Sequence, residues 1–524
     1  MSYKVYAKNN EALQKIKEGV DEVCELISPM LGPHARNSLY ELGGKEEYQH
    51  LDDGKLTMRE VHFEDPLKNL VAKRFREACN ATDDKVGDGT TSTVVLAHAI
   101  FNHNYDKYFF KDSFAKNTFN PLKFKQDLED SKNKALAELQ KQSKPIEKDE
   151  DIWKVAQIAS NSDHIADLIM EVHKKAGREA AVMAEKWDGI DTNVEVVDGL
   201  QIPEGLIHPY LSTNGNEAVF DEAQGLVKIV WTNELVEDPE QIKPLADMLL
   251  KEGIKRCVIF GRAFNHVVIP MLAANKIKGI FHFAAITFPT SDDVMEDYAT
   301  ATGAKFIDNH KGLTMKNIKL EDLGEAKRVV AYRNDLKNQT FVFGGKNDKM
   351  QVEQRIEKLK REIQQEKLKS MKDKLHKRIG MLSGGIGIIK VGAGTEGNKE
   401  ALYRKLEDAI GSTKAAIESG IVLGGGLALK KCGDTLNEDS PLKTPLNAIY
   451  DKLKELAGGE LKVGKNVFDA TKVVETIIRN ACDVATSLLC TSTLIANSQP
   501  EKFEDVMIKV LDKYFKANPS TMPK

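Results

Sequence analysis

The chain has 524 residues, more than one hydrophobic core usually serves, so two or three domains of roughly 100 to 200 residues are expected. Its 75 Lys and Arg against 79 Asp and Glu leave a net charge of −4, with no global field to draw in nucleic acid or acidic lipid. The six cysteines (Cys24, Cys79, Cys257, Cys432, Cys482, Cys490) form no CxxC or Cys/His cluster, which argues against a zinc site or disulfide framework and for a reducing compartment.

The N-terminus has neither a signal-peptide core nor a transit pattern, and no apolar run of about 18 residues is present, so a soluble cytoplasmic protein is expected. From Asn10 to Leu31 the apolar residues Leu13, Ile16, Val20, Val23, Cys24 and Ile27 recur at helical spacing, with Gly32-Pro33 as the stop. A second helix begins near Thr90, Thr91 and Ser92, whose hydroxyls suit a cap, and continues through Val94, Val95, Leu96, Ala99 and Ile100. Between about Asn193 and Phe343 the pattern changes to β-rich runs (LVKIVW, RCVIFG, IFHFAAITF, TFVFGG) separated by amphipathic segments, as in an α/β domain. The charged stretch 348–378 keeps an apolar stripe at Met350, Val352, Ile356, Leu359 and Ile363, and so reads as a solvated helix with one buried face rather than a basic binding patch. A strand-like IGIIKV, a helix from Lys399 to about Ser419, a glycine turn at Gly424 to Gly426 and further helix complete the chain. Helical chain thus flanks a β-rich part on both sides, the pattern of one domain inserted into another.

Three segments could carry chemistry. In KVGDGTTSTVV (85–95) two glycines allow close backbone approach, and free N–H groups at a helix start attract an anion. An ordinary capped glycine turn would look the same but for Asp88, whose carboxylate would repel phosphate unless a Mg2+ is shared between them. GAGTEG (392–397) matches GxGxxG after a strand, yet the chain stays helical through Asp408 and Ser419, where a dinucleotide site needs a second strand ending in a ribose-binding acid. No GxxxxGK[ST] is present. In GIVLGGGLAL (420–429) three glycines before a helix, taken alone, read first as a packing or hinge device. Taken singly, Asp408 on a helix and Asp53 in LDDGK read as a surface acid and a turn residue.

In order and along nearly the whole chain, these segments resemble the group I chaperonins of the bacterial GroEL type. The matching pieces are LGPHARNSL (31–39), DDGKLTMREVHFEDP (52–66), NATDDKVGDGTTSTVVLAHAI (80–100), IASNSD (158–163), LEDLGEAKRVV (320–330), LSGGIGIIKVGAGTE (382–396), LEDAIGSTKAAIESGIVLGGGLAL (406–429) and FDATKVV (468–474). The resemblance implies a multidomain α/β chaperonin fold. A mostly helical equatorial ATPase domain would come from 1–141 and 419–524, a small intermediate hinge domain from 142–197 and 387–418, and an inserted α/β apical domain from 198–386. It further implies an ATP-dependent chaperone using ATP and Mg2+, with K+ a further candidate ion. The subunits would form a homo-oligomeric ring, expected to be seven-membered, that captures non-native polypeptides and binds neither nucleic acid nor membrane. A co-chaperonin lid is left open.

Carried over by resemblance, Leu31, Gly32 and Pro33 would line the nucleotide, Asp88 would hold Mg2+, and Gly89, Thr90, Thr91 and Ser92 would hold phosphates. Asp53 and Asp408 would position and activate the attacking water, Gly424 and Gly425 would flank the nucleotide, and Asp469 would contact its ribose. Pro145, Gly199, Gly385 and Gly420 would be hinges. Leu206, His208, Tyr210, Leu211, Ile242, Leu245, Leu249, Ile269, Ala273 and Ala274 would line the client groove. The sequence departs from the family at Met30, where a threonine is usual, at Asp52, where a lysine is usual, and in the loop 458–469, which is short. With the insertion-like 102–119, that loop leads to an expectation of altered ring stacking, down to a single ring, and the divergence would suit a virus-encoded protein in a host cytoplasm. The alternative reading is a ring holdase or scaffold with weak ATPase activity; a phosphotransferase or dinucleotide enzyme would rest on GAGTEG alone.

Overall fold

The computed structural model describes residues 4–497 apart from 42–47, 52–53, 110–118, 179, 216, 222, 224, 334–338, 346–348, 367, 384, 462 and 465. Strand β1 (Lys4–Lys8) leads into α1 (Asn9–Ile27), which buries Leu13, Ile16, Val20, Val23 and Ile27 along one face. The helix stops a turn before the expected Gly32-Pro33, because Pro29 has no N–H to continue the ladder and the chain tightens into a 3-10 turn over Ser28–Met30. A short hairpin, β2 (Ser38–Glu41) and β3 (Tyr48–Leu51), precedes α2 (Gly54–Glu60), α3 (Pro66–Val86), α4 (Thr90–Phe109) and α5 (Pro121–Gln142). Both α3 and α5 start on a side-chain cap followed by proline: Asp65 accepts from the Leu67 N–H and Asn120 from those of Leu122 and Lys123.

Next come α6 (Asp149–Ser160), α7 (Asp163–Ala176), β4 (Ala181–Lys186) and β5 (Asn193–Ile202). The α/β part then runs β6 (Glu217–Phe220), β7 (Val227–Val236), α8 (Pro239–Lys251), β8 (Arg256–Phe264), α9 (Val268–Ile277), β9 (His282–Thr287), α10 (Asp292–Ala301) and β10 (Phe306–Ile307). Strands β11 (Gly324–Ala326), β12 (Arg328–Tyr332) and β13 (Thr340–Phe343) and a helical pair, α11 (Lys349–Gln365) and α12 (Lys369–Ser383), follow. Strand β7 pairs in parallel with β8 and β10, and β8 with β9, and the central residues of all four are buried. This is why LVKIVW and RCVIFG read as unbroken apolar runs. Asp297 on α10, fully buried, binds both Arg355 and Arg378 and fixes the α11–α12 pair to this sheet.

The chain returns through β14 (Gly385–Val391), α13 (Glu396–Ser419), β15 (Ile421–Leu423), α14 (Leu427–Asp434), α15 (Ala448–Leu456), β16 (Phe468–Ala470), α16 (Thr471–Leu489) and β17 (Thr493–Asn497). Strands β1 and β17 pair antiparallel, joining the first and last described segments. Helix α16 is buried nearly all round, against α3, α4, α5 and α13. One core therefore draws on residues from both ends of the chain, a second lies between Leu200 and Leu382, and a third joins α6 and α7 to β14 and α13. A six-stranded sheet, ordered β4-β14-β5-β13-β12-β6, runs between the last two. No described helix is long and apolar enough to cross a membrane.

Candidate active site

Helix α3 ends at Gly87, whose φ of 69° is the left-handed turn that glycine favours and whose N–H donates to the Asp83 carbonyl at 2.7 Å. Asp88 and Gly89 (φ 88°) form the link to α4. A Cβ on Gly89 would lie 2.9 Å from Ile477 Cδ1 and 3.1 Å from Val473 Cγ1, so α16 leaves room only for glycine. The Thr93 backbone N–H and Oγ1 both donate to the Gly89 carbonyl at 3.0 Å, which locks the turn. Thr90 is buried, and Thr91 and Ser92 are half-buried in the first turn of α4.

The Asp88 carboxylate is held on both oxygens. Oδ1 accepts the Gly89 N–H at 2.5 Å, and Oδ2 accepts the Ser412 hydroxyl, on α13, at 2.6 Å. From the other side comes Asp469 in β16, opposite Val422 of β15. A Cβ on Gly424 would lie 2.9 Å from Asp469 Oδ1, and the Gly425 N–H bonds to the same side chain. Burial, reinforced by the charge of Asp88, pushes the Asp469 carboxyl up to about 7. The structure thus brings together Asp88, Gly89, Gly424, Gly425 and Asp469. Leu31, Gly32 and Pro33 follow the 3-10 turn that packs on α4; a Cβ on Gly32 would run into Leu453 of α15.

Asp408 lies four residues before Ser412 on α13, in the wall of a cavity of about 860 Å3 that Lys55, Asp83, Asp84, Lys85, Glu407 and Lys472 also line. Asp53 and Asp52 lie outside the described residues, as does the 110–118 part of the insertion-like segment. The neighbours of Asp53 bear on its place: a Cβ on Gly54 would clash with Thr91 Oγ1, and buried Lys55 forms an ion pair with Asp83. Ser412 and Lys55 were not singled out in the sequence. The signals that could have found them are the one-turn spacing from Asp408 and the position next to Gly54. Met30, in place of a threonine, is a buried core residue. GAGTEG does join a strand to a helix, but that helix runs unbroken for 24 residues, so no second strand presents a ribose acid.

Gly420 caps α13 at φ 82°, and a Cβ there would lie 2.5 Å from the Lys144 carbonyl. Lys144, just before Pro145, bridges Ile421, so Pro145 and Gly420 sit side by side where the chain enters and leaves the core built from both ends. Gly199 and Gly385 occupy no turn. They pair within the sheet with Phe343 and Asp198, and a Cβ on Gly199 would lie 2.7 Å from the Val342 carbonyl, so close packing accounts for glycine there.

The groove expectation needs correction for Leu206, Leu211, Ile242, Leu245, Leu249 and Ala273. These side chains are buried in the core of the α/β part, where no client can touch them in this conformation. Ile269 and His208 are half-buried, Ala274 is exposed, and Tyr210 is 68% exposed. Among the described residues the exposed apolar side chains at this place include Tyr210, which α9 anchors through Lys276 Nζ donating to its carbonyl at 3.0 Å, and Ala274 and Ile277, 83% exposed, on that helix.

Comparison with known proteins accords with this arrangement. The chaperonin gp146 from the bacteriophage EL 2 (Pseudomonas aeruginosa), crystallised in the presence of ATP-BeFx, superposes with a TM-score of 0.71 at 18% identity in crystal form II, over 95% of this chain and all of that one. Crystal form I gives 0.64 at 18% identity, over 95% and 99%. At that identity the likeness is one of fold. The sequence itself matches the model of the TCP-1/cpn60 chaperonin family from residue 23 to residue 444. With a core built from both chain ends, an inserted α/β unit and a glycine-lined acidic loop between them, the chain belongs to the TCP-1/cpn60 chaperonin family.

Proposed function

We propose that this chain is the subunit of an ATP-driven chaperonin ring that binds non-native polypeptide on its α/β domain and releases it through cycles of ATP hydrolysis. The observation that carries this reading is the convergence of Asp88 and Asp469 at the start of α4, in a cradle of glycines that side chains would fill. Asp88 lies on the phosphate loop itself, and Asp469, pushed up to about 7 by burial with the charge of Asp88 adding to it, faces it from β16. Among the described residues no group of three or more His, Cys, Asp or Glu side chains could hold a metal by themselves. Asp88 alone is enough for Mg2+, which takes one or two carboxylates and completes its shell with water and substrate phosphates, and Asp469 is left to contact the ribose. Bound there, the ion would neutralise charge on the phosphates of ATP.

The chain's own residues supply the rest. The N–H groups of Thr90, Thr91 and Ser92 open a 20-residue helix and face an anion favourably. Gly424 and Gly425 let the nucleotide approach the backbone, and Asp408 orients the attacking water from α13. Because α13 also bounds the cavity shared with the α/β part, a movement of that helix changes both sites, which couples hydrolysis to release. Clients are taken at Tyr210, Ala274 and Ile277. The insertion-like 102–119 and the short loop 458–469, both departures from the family, favour a ring of a single tier.

The test is refolding of a denatured enzyme by the purified full chain, with and without ATP, alongside native mass. Recovery that requires ATP, and its loss in Y210A/I277S at unchanged melting temperature, is expected. Capture of unfolded protein without ATP-dependent release would replace this reading with a holdase, and a stable two-tier mass with and without ATP would overturn the single ring.

A further inference from the structure

Hydroxyls in the middle of a helix usually bond back to the carbonyl four residues earlier. Two neighbours on α13 do so: Thr413 Oγ1 donates to the Ala409 carbonyl at 2.7 Å and Ser419 Oγ to the Ala415 carbonyl at 2.6 Å. Ser412, only 3% exposed, leaves its helix and donates to Asp88 Oδ2 at 2.6 Å, across the boundary between two cores. The reach depends on bare backbone. A Cβ on Gly87 would lie 3.0 Å from Gly411 Cα, and one on Gly411 would lie 2.8 Å from Gly87 Cα, so glycine on both sides brings α13 against the end of α3.

We propose that Ser412 is a positioning residue that fixes the Asp88 carboxylate for its metal and seats α13, and with it Asp408, on the phosphate loop. The inference rests on the reading of this loop as the Mg-ATP site. With Oδ1 accepting the Gly89 N–H and Oδ2 accepting the Ser412 hydroxyl, the orientation of the carboxylate is set from two directions. Asp408 lies four residues, about 6 Å along the axis, from this anchor and on the same side of the helix. One hydrogen bond therefore registers the metal ligand and the water-orienting acid together. Removing an outer hydrogen bond to a metal-binding carboxylate typically costs 10–100-fold in metal affinity or activity.

The experiment compares the unaltered full chain with S412A and with T413V, which removes the adjacent hydroxyl without touching Asp88. The first readout is the Mg2+ concentration for half-maximal binding of a fluorescent non-hydrolysable ATP analogue. The second is hydrogen exchange of the peptide covering 405–416 with no nucleotide or metal present. S412A is expected to raise the Mg2+ requirement about tenfold and to speed exchange in that peptide, with T413V leaving the Mg2+ requirement unchanged. A Mg2+ requirement and exchange rate in S412A equal to those of the unaltered chain would overturn the positioning role and leave the nucleotide reading standing. Analogue binding to the unaltered chain that ignores Mg2+ would overturn both.

Discussion

Replacing Gly411 by alanine is a sharp test of how closely α13 sits on the phosphate loop. In an open helix the change stabilises by about 1 kcal/mol, because glycine is a poor helix former. Here the added Cβ would lie 2.8 Å from Gly87 Cα and 2.8 Å from the Val86 carbonyl, both backbone atoms that cannot swing aside. Restoring an ordinary 3.4 Å contact means lifting the helix by about 0.6 Å, a strain of about 1–3 kcal/mol for an overpacked interior. The two effects nearly cancel, so G411A should melt between the unaltered temperature and a few degrees below it. Catalysis has no such compensation: a displacement approaching 1 Å in catalytic groups costs up to about 100-fold, so turnover should fall by roughly 10- to 100-fold. Steady-state ATPase assays and thermal melts of the same preparations measure both. A raised melting temperature with full turnover would refute the close contact.

Two further outcomes follow from groups away from the site. Asp297 is fully buried between Arg355 and Arg378, so D297A leaves two largely buried cations without their shared partner, a loss of about 3–5 kcal/mol concentrated on the α11–α12 pair. Hydrogen exchange should rise across 349–383 far more than in α16; equal protection in both proteins would contradict the anchoring role. His282 donates from Nε2 to the Leu211 carbonyl at 2.7 Å beneath the Phe220 ring, and burial, with Lys276 and Arg256 adding to it, holds its pKa below the usual 6.5. Because the folded-state value is the lower one, the unfolded chain takes up the proton first. Stability is therefore full above about 6.5 and declines as pH falls below it toward the depressed value, by up to about 1.4 kcal/mol per unit. Melting temperatures between pH 7.5 and 5 should fall less steeply in H282Q, and an unchanged slope would rule out this histidine as a contributor.

The parts of the fold that were legible in sequence are those where one local cause dominates. The parallel strands β7, β8 and β9 are buried through their middles and so spell continuous apolar runs, and α4 starts at Thr90 as expected, although Thr90, Thr91 and Ser92 lie within its first turn rather than ahead of it as caps. Ile242, Leu245 and Leu249 show the limit of analogy: their spacing on α8 is that of a buried helix face, and the structure obeys the spacing rather than the expected groove. The long-range pairing of β5 with β14 and β13, which takes Gly199 and Gly385 into a sheet, depends on partners nearly 150 and 190 residues away that no local pattern encodes. At the site, Asp88 stood out because an acid beside a phosphate loop demands an explanation. Ser412 and Lys55 did not, since a serine inside a helix and a lysine after a glycine are ordinary until folding brings Asp88 and Asp83 to them.

The account stands most directly on Asp408, which belongs to the wall of the cavity one turn from the residue that grips Asp88. Binding of ATP and its steady-state hydrolysis, measured side by side on the unaltered chain and on D408A, separate holding the nucleotide from turning it over. The expected result is ATP affinity within a few-fold of the unaltered protein and turnover reduced by about 100-fold or more. Unchanged hydrolysis in D408A would contradict the assignment of this loop and helix as a chaperonin ATPase site.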